Sequence, residues 1–343
     1  MRDSLPTAAE LRAAFERHRE VTVGLEEELM LLDASTLDLA PHAAEVVEGL
    51  GDARFKIEMP AAQLEIVTVP HATVAEAAAE LARARADLAE AVEGRFRLAG
   101  AGAHPFASGT GRLNRGPRYE AIEAEYAAVA RRQLVFGLHV HVAVPGADRA
   151  LAVYNALRSY LPLLAALSAN APFYEGADSG LASVRPRLSG LLPRQGVPPA
   201  LESFEAYADA LRWCGFEDPR QWWWELRLHP LLGTVEVRVP DTQTTVEETA
   251  AIAEAIHGLV TRLAERPEPV YDSWRIDQNR WSACRHGVEG EMTDLATGER
   301  RPTRELLAEL GAQPTDLAGR QRTVAAERGQ HGLVDWLAAR FLG

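Results

Sequence analysis

From Gln133 to Val144 every second residue is apolar without a miss: Leu134, Phe136, Leu138, Val140, Val142 and Val144. A period of two puts these on one face of an extended strand and sends His139 and His141 together to the other. A chain with such a strand is organised around a sheet, and the second face of that sheet holds the functional information. Other segments repeat the pattern. In Gly24-Leu-Glu-Glu-Glu-Leu29, Glu26 and Glu28 share a face, about 6.6 Å apart by strand rise. Glu236 and Arg238 share one within Gly233–Val239. Glu58 and Glu65 lie seven positions apart, so an unbroken strand would send them to opposite faces; they converge only if the chain bends at Pro60.

Further strands are expected at Glu20–Leu32, Phe55–Glu58, Gln63–Val69, Arg97–Ala103, Trp223–Arg227 and Gly233–Val239. Helices are expected at residues 7–19, Val74–Glu93, Tyr119–Arg131, Ala147–Ala169, Leu201–Trp213 and Val246–Glu265, with a polar helical tail from Thr303 wrapping the outside. Leu188–Pro199, rich in Pro and Gly, reads as an irregular loop bordering the site. Strands and helices do not alternate strictly, and no glycine-rich strand-to-helix turn occurs. The expectation is α+β with a largely antiparallel sheet, as one domain over residues 1–343. The 47% apolar content is enough to bury a large core.

The net charge of −13 repels phosphate backbones, so nucleic acid is not an expected partner. No apolar run reaches membrane-spanning length; Leu161–Phe173 comes closest and is interrupted by Ser168 and Asn170. The N-terminus carries no apolar signal core, and Cys214 and Cys284 are the only cysteines, which fits a reducing cytoplasm rather than a disulfide scaffold. Lys56 is the only lysine among 36 basic residues, a bias that composition explains.

Any one of these charged pairs fits a solvated strand face. Glu236 with Arg238 alone could be a surface ion pair worth under about 1 kcal/mol. Together they are costly without a cation between them, because adjacent carboxylates repel. Oxygen-rich donors with one imidazole suit Mg²⁺ or Mn²⁺, and five carboxylates exceed the needs of one ion. With an arginine on the same surface, residues and spacing lead to a multi-metal phosphoryl-transfer or hydrolytic site. No Walker-type loop or Ser/His/Asp elbow is present.

Five segments resemble the type 2 glutamate–cysteine ligase family, carboxylate–amine ligases related in fold to glutamine synthetase. They are Gly24–Leu29, Glu58 through Gln63-Leu-Glu65, Gly137-Leu-His-Val-His-Val142, Gly233-Thr-Val-Glu-Val-Arg238 and Asn279–Gly287, in family order over residues 24–287. The resemblance implies a curved, mostly antiparallel sheet forming a funnel, with helices packed on its outer face. ATP and two or three Mg²⁺ ions would lie in the funnel. It implies Glu26, Glu28, Glu58, Glu65, His139 and Glu236 as metal ligands, with His141 ranked below His139. Arg238 would contact phosphate and act in catalysis with Glu65; Asn170, Arg185, Asn279 and Arg285 fall in nucleotide- or substrate-side segments.

The implied reaction joins a carboxylate, such as glutamate, to an amine through an acyl phosphate. The competing enzyme reading is a metal-dependent hydrolase of amides or phosphoesters using the same carboxylates. A catalytically dead binding protein is the third, and the intact ligand set opposes it. Trp222-Trp223-Trp224 reads as core plus a dimer or lid contact, and with an exposed sheet edge could support a homodimer.

Overall fold

The structure, a computed structural model, describes residues 5–216, 218–266 and 268–343. Its strands are β1 (Thr22–Asp33), β2 (Phe55–Ile57), β3 (Gln63–Val67), β4 (Phe96–Ala99), β5 (Leu138–Ala143), β6 (Phe173–Tyr174), β7 (Ala177–Asp178), β8 (Leu226–Leu228), β9 (Thr234–Val237), β10 (Glu291–Thr293) and β11 (Arg300–Pro302). The helices are α1 (Ala8–Glu16), α2 (Ala43–Leu50), α3 (Val74–Val92), α4 (Pro117–Tyr126), α5 (Ala147–Leu157), α6 (Leu161–Leu167), α7 (Arg185–Ser189), α8 (Phe204–Trp213), α9 (Val246–Glu265), α10 (Ser273–His286), α11 (Thr303–Glu309) and α12 (Leu317–Ala339).

Seven strands form one open sheet, six in the order β2-β3-β1-β5-β9-β8 and β4 pairing with β1 off that path, every pairing antiparallel. The long β1 changes neighbour along its length: residues 22–27 pair with β5, and Met30–Asp33 pair with β4. Strands β6–β7 and β10–β11 form two separate hairpins.

On one face, Val23, Leu25, Leu29 and Leu31 of β1 with Leu138, Val140 and Val142 of β5 pack against α3, α5 and α9 in the main core. Capping boxes start two of those helices: Thr73 with Glu76 for α3, and Thr245 with Glu248 for α9. Glu27 points into this same apolar layer, flanked by Leu25 and Leu29. Arg85 of α3 meets it as a two-pronged pair, Nε to Oε2 at 2.8 Å and Nη2 to Oε1 at 2.7 Å, and both side chains are fully buried. Thr249 of α9 donates to Glu27 (2.9 Å), and Arg85 also donates to the carbonyls of Gln243, Thr244 and Phe341. One ion pair therefore ties β1, α3, α9 and the C-terminal residues together.

The expected strand at Gln133–Val144 shortens to β5, and Gly137 is where it breaks. Ahead of it Phe136 donates its N–H to Gly102, and its side chain joins Met30, Leu32, Leu333 and Leu337 in a second core under α12, not the main one. Period two thus persists in the sequence while the chain leaves the ladder. The helix expected at Ala147–Ala169 is two, α5 and α6, joined by a 3₁₀ turn at Arg158–Tyr160; Pro162 in the first turn of α6 has no N–H for a continuous helix. Even so, Ala147–Leu167 is long and apolar enough to cross a bilayer, and 67% of its apolar window is buried inside the fold. Helix 119–131 begins at Pro117 and gives way to a 3₁₀ helix at Ala127, whose φ is +49°. The strand expected to reach Ala103 ends at Ala99, and helix α10 had no counterpart in the expected elements.

Removing one partner of a buried pair leaves the other charged and unpaired, at a cost of about 3–5 kcal/mol. Arg85→Met should therefore lower the stability read by chemical denaturation by at least about 3 kcal/mol. A loss within 1 kcal/mol would show that the pair does not hold the helix layer to β1.

Candidate active site

Pairing register assembles the opposite face of the sheet. Glu28 stands opposite Glu65, which stands opposite Lys56. Glu26 stands opposite His139. His141 stands opposite Glu236, which stands opposite Arg227. The bend at Pro60 is a β2–β3 turn closed by the Gln63 N–H on the Pro60 carbonyl (3.1 Å), and it puts Glu58 at the end of β2 within electrostatic reach of Glu65.

His139 Nδ1 lies 3.2 Å from Glu26 Oε2, and His141 Nε2 lies 3.3 Å from Glu26 Oε1 and 3.9 Å from Glu236. Arg227 donates to both oxygens of the fully buried Glu236 (2.5 and 2.9 Å), and Arg238 donates to Oε1 as well. Glu236 is thus saturated by arginines and holds Arg238 in place. Donor atoms of Glu26, Glu65 and His139 lie within 4.8 Å of one another, as do those of Glu26, His141 and Glu236. That spacing and donor chemistry fit a hard divalent cation.

Gly137 completes the floor. Its N–H donates to Glu28 Oε2, and a Cβ built there would sit 2.1 Å from Arg185 Nη2. Glycine lets the backbone reach the carboxylate with that guanidinium beside it, where a larger residue would have to displace the end of Arg185. Arg185 donates to the carbonyls of Val239 (3.0 Å) and Arg238 (3.2 Å) and lies 3.9 Å from Asp241. Glu28, Glu58, His139, Arg185 and Arg238 line a cleft of about 140 Å³, with Gln63, Arg118, Gln133, Trp223 and Glu225 on its walls. The expected irregular loop also borders it, through Ser189, Leu192 and Gln195.

The charges divide into two halves. Burial pushes the Glu28 carboxyl up to about 7, Arg185 opposing the rise and Glu58 adding to it. Burial and the charges of Glu26, Glu58 and Glu28 hold Glu65 well above the usual range, and burial likewise raises Glu58. Glu26 moves the other way: burial is outweighed by His141 and His139, which hold it well below the usual range. Glu236 is also low, against its burial, because Arg227 and Arg238 flank it. Burial and Arg238 push His139 down to about 4, whereas Glu26 and Glu236 overcome burial and raise His141.

Three expected residues sit elsewhere. Asn170 is buried among Thr242, Asp241 and Gln321, where its amide donates to the Thr242 carbonyl (3.0 Å) and accepts from Gln321 (2.7 Å). Asn279 pairs with the backbone of Thr293 (2.7 and 2.8 Å). Arg285 is exposed and donates to the Gly180 carbonyl. Among the described residues, the cleft lining includes none of these three. Lys56 is exposed beside Glu65. Trp222 is core, packed on Tyr207 and Phe216, whereas Trp223 lines the cleft. Sequence reasoning missed Arg227 and Glu225, although their period-two spacing in Glu225-Leu-Arg227 matched that of Glu236 and Arg238. It also left Gly137 without a role.

The profile of glutamate–cysteine ligase family 2 matches residues 22–335. A Rubrobacter xylanophilus protein with the provisional name glutamate–cysteine ligase 2-3 is 41% identical, over 92% of this chain and 96% of its own. A Sorangium cellulosum protein provisionally named glutamate–cysteine ligase 2 is 34% identical, over 85% of this chain and 82% of its own. Among solved structures, the Francisella tularensis glutamate–cysteine ligase in complex with AMP superposes with a TM-score of 0.70 at 13% identity, covering 95% of this chain and 89% of that one. A bifunctional glutathione synthetase from Pasteurella multocida gives 0.71 at 16% identity, over 97% of this chain and 53% of that one.

Because Glu28, Glu58 and Glu65 hold protons more tightly than ordinary carboxylates, a divalent cation must displace protons to bind there. Mg²⁺ and Mn²⁺ affinity should rise between about pH 6 and 8. Titration calorimetry at pH 7 in buffers of different ionisation enthalpy should show protons released. Binding that is independent of pH and of buffer would place the cation elsewhere.

Proposed function

The chain belongs to glutamate–cysteine ligase family 2, and from that premise we propose that it is an ATP-dependent carboxylate–amine ligase that makes an amide, with glutamate as the carboxylate substrate, through an acyl phosphate. The observation that carries the reading is the half-neutralised cluster: Glu28, Glu58 and Glu65 crowd together without enough positive charge, and Glu28 and Glu58 share one cleft with Arg238 and Arg185.

In the proposed sequence a substrate carboxylate oxygen attacks the γ-phosphorus of ATP, the bond to the β-phosphate oxygen breaks, and ADP leaves. An amine nitrogen then attacks the acyl carbon, phosphate departs with its electron pair, and the nitrogen loses a proton. Divalent ions, Mg²⁺ or Mn²⁺, would supply charge neutralisation of the polyphosphate, with Glu26, Glu28, Glu58, Glu65 and His139 as the residues to hold them. Glu236, whose donor atoms also lie with those of Glu26 and His141, is bonded to two arginines as well and serves this scheme by aiming Arg238. Arg238 faces the developing charge on the transferred phosphoryl group. Arg185, anchored on the carbonyls of residues 238 and 239, keeps a second guanidinium beside Glu28 and the attack path. His139, held neutral, is a nitrogen donor rather than a repelling cation. Covalent activation resides on the substrate, so no protein nucleophile is required. Both cysteines are free, which agrees with the cytoplasmic setting expected for an ATP-consuming ligase.

The test is ADP release with ATP and Mg²⁺ across a panel of carboxylates, glutamate first, with and without cysteine, other amino acids and simple amines. ADP formed only with one acid–amine pair, with the matching amide mass, is the expected result. Cleavage of amides or phosphoesters without nucleotide would replace the ligase with the hydrolase.

Two variants sharpen it. Glu28→Gln keeps an oxygen for the Gly137 N–H but removes a charge, and should cut turnover by about 100-fold or more with an unchanged melting temperature. Arg238→Ala should cost about 10²–10³ in kcat. Near wild-type turnover in Glu28→Gln would remove β1 from the metal-binding set.

A further inference from the structure

Three carboxylates line the cleft, Glu28, Glu58 and Glu225, and phosphoryl transfer leaves the third without a task. Its backbone is fixed on both sides: its N–H donates to the Gly196 carbonyl (3.2 Å), and its carbonyl accepts from Arg238 N–H (2.8 Å). That bond continues the β8–β9 ladder by one pair beyond Leu226 and Val237, so Glu225 stands opposite Arg238. Glu26, His139, Arg238 and Glu225 therefore form one row on the cleft face, and at about 4.8 Å per strand Glu225 lies one strand beyond the arginine, on the side away from Glu26.

Glu225 Oε2 accepts from Arg280 of α10, and the two residues are 8% and 3% exposed. Its Oε1 has no hydrogen-bond partner among the described residues. A carboxylate this enclosed, with one oxygen clamped and the other free in a cleft, is built to receive a donor. Two more groups of the same lining speak for a polar ligand: Arg185 Nε and Gln63 Oε1 are buried and unpaired among the described residues. Such groups are costly unless something completes them.

We propose that Glu225 is the seat for the protonated primary amine of a substrate, with Arg280 holding the carboxylate in position. This rests on the ligase reading, in which a carboxylate reacts next to Arg238 and an ammonium on the same or the second substrate lies a few atoms away. The ammonium has two sources, the amino group of the acid substrate or the acceptor before it is deprotonated. Glu225 is a specificity residue in either case and does not touch the phosphoryl group.

Calorimetry of the full chain with Mg²⁺ and a non-hydrolysable ATP analogue tests this without turnover. L-Glutamate is compared with glutarate, and n-butylamine with n-butanol, on wild type, Glu225→Gln and Glu225→Asp. Wild type should favour the ammonium-bearing member of one pair by about tenfold or more. Glu225→Gln, which keeps an oxygen for Arg280, should erase that preference and leave affinity for the nucleotide unchanged. The pair affected names the source. Should Glu225→Gln fail to fold, Glu225→Asp, with its charge withdrawn by one methylene, should retain only part of the preference. The seat is overturned if wild type does not discriminate, or if the folded variants discriminate as wild type does. A silent ADP panel alongside intact discrimination would remove the ligase and leave the seat. ADP release without discrimination would remove the seat alone.

Discussion

Everything at the cleft depends on where β1 sits, and a buried ion pair on its other face fixes that. β1 carries three consecutive glutamates, and a period of two must send the middle one opposite to its neighbours. Glu27 goes into the apolar helix layer, an expensive place for a carboxylate, and Arg85 meets it there with two hydrogen bonds while Thr249 supplies a third. A slip of one residue would bring Glu26 or Glu28 to Arg85, bury the other glutamate among aliphatic side chains without a partner, and turn Leu25 and Leu29 out to the cleft. The pair is weak as a net source of stability and strong as a specifier of register. The cluster on the cleft face can be acidic because the core face cannot tolerate any other alignment.

On the cleft face, electrostatic load is distributed rather than shared equally. Glu26 is held ionised by the charge of His141 and the hydrogen bond of the neutral His139, and Glu236 by Arg227 and Arg238. Glu28, Glu58 and Glu65 have no comparable set of cations and hold protons more tightly than ordinary carboxylates. Cation demand therefore concentrates at the β1–β3 side of the sheet, while positive charge concentrates at the β9 side. A polyphosphate lying across the sheet would find metal at one end and guanidinium at the other. This resolves the apparent conflict between an acidic chain and an anionic nucleotide: net charge describes approach, and local order of charge describes binding.

The sequence displayed the site more openly than the fold. Strand alternation put Glu26 with Glu28, His139 with His141 and Glu236 with Arg238, because side-chain period is a local property. It could not display Glu27–Arg85, Arg280–Glu225 or the seating of Arg185, whose partners lie 58, 55 and 53 positions apart or more. Asn170 and Asn279 show a different limit. Each stands in a segment resembling ligase motifs, yet each is occupied with backbone groups, holding the 241–244 segment and the β10 hairpin in place. Segment similarity does not separate a residue that holds ligand from one that holds the loop beside it. Phe136 marks a third limit: alternation predicts a face only while the chain remains in the ladder.

Gly137 joins these levels in one residue. A side chain there would displace the Arg185 guanidinium from its place beside Glu28, so glycine suits the crowding at the site rather than a turn. Because the chain leaves the β5 ladder at that point, its N–H is free to bind Glu28 instead of a strand partner. That bond favours the ionised form of a carboxylate that burial is driving toward protonation. The break in β5 is therefore also a tuning element: with Arg185, it opposes the rise that burial and Glu58 impose on Glu28, which leaves that carboxyl at about 7 and able to yield its proton to a cation.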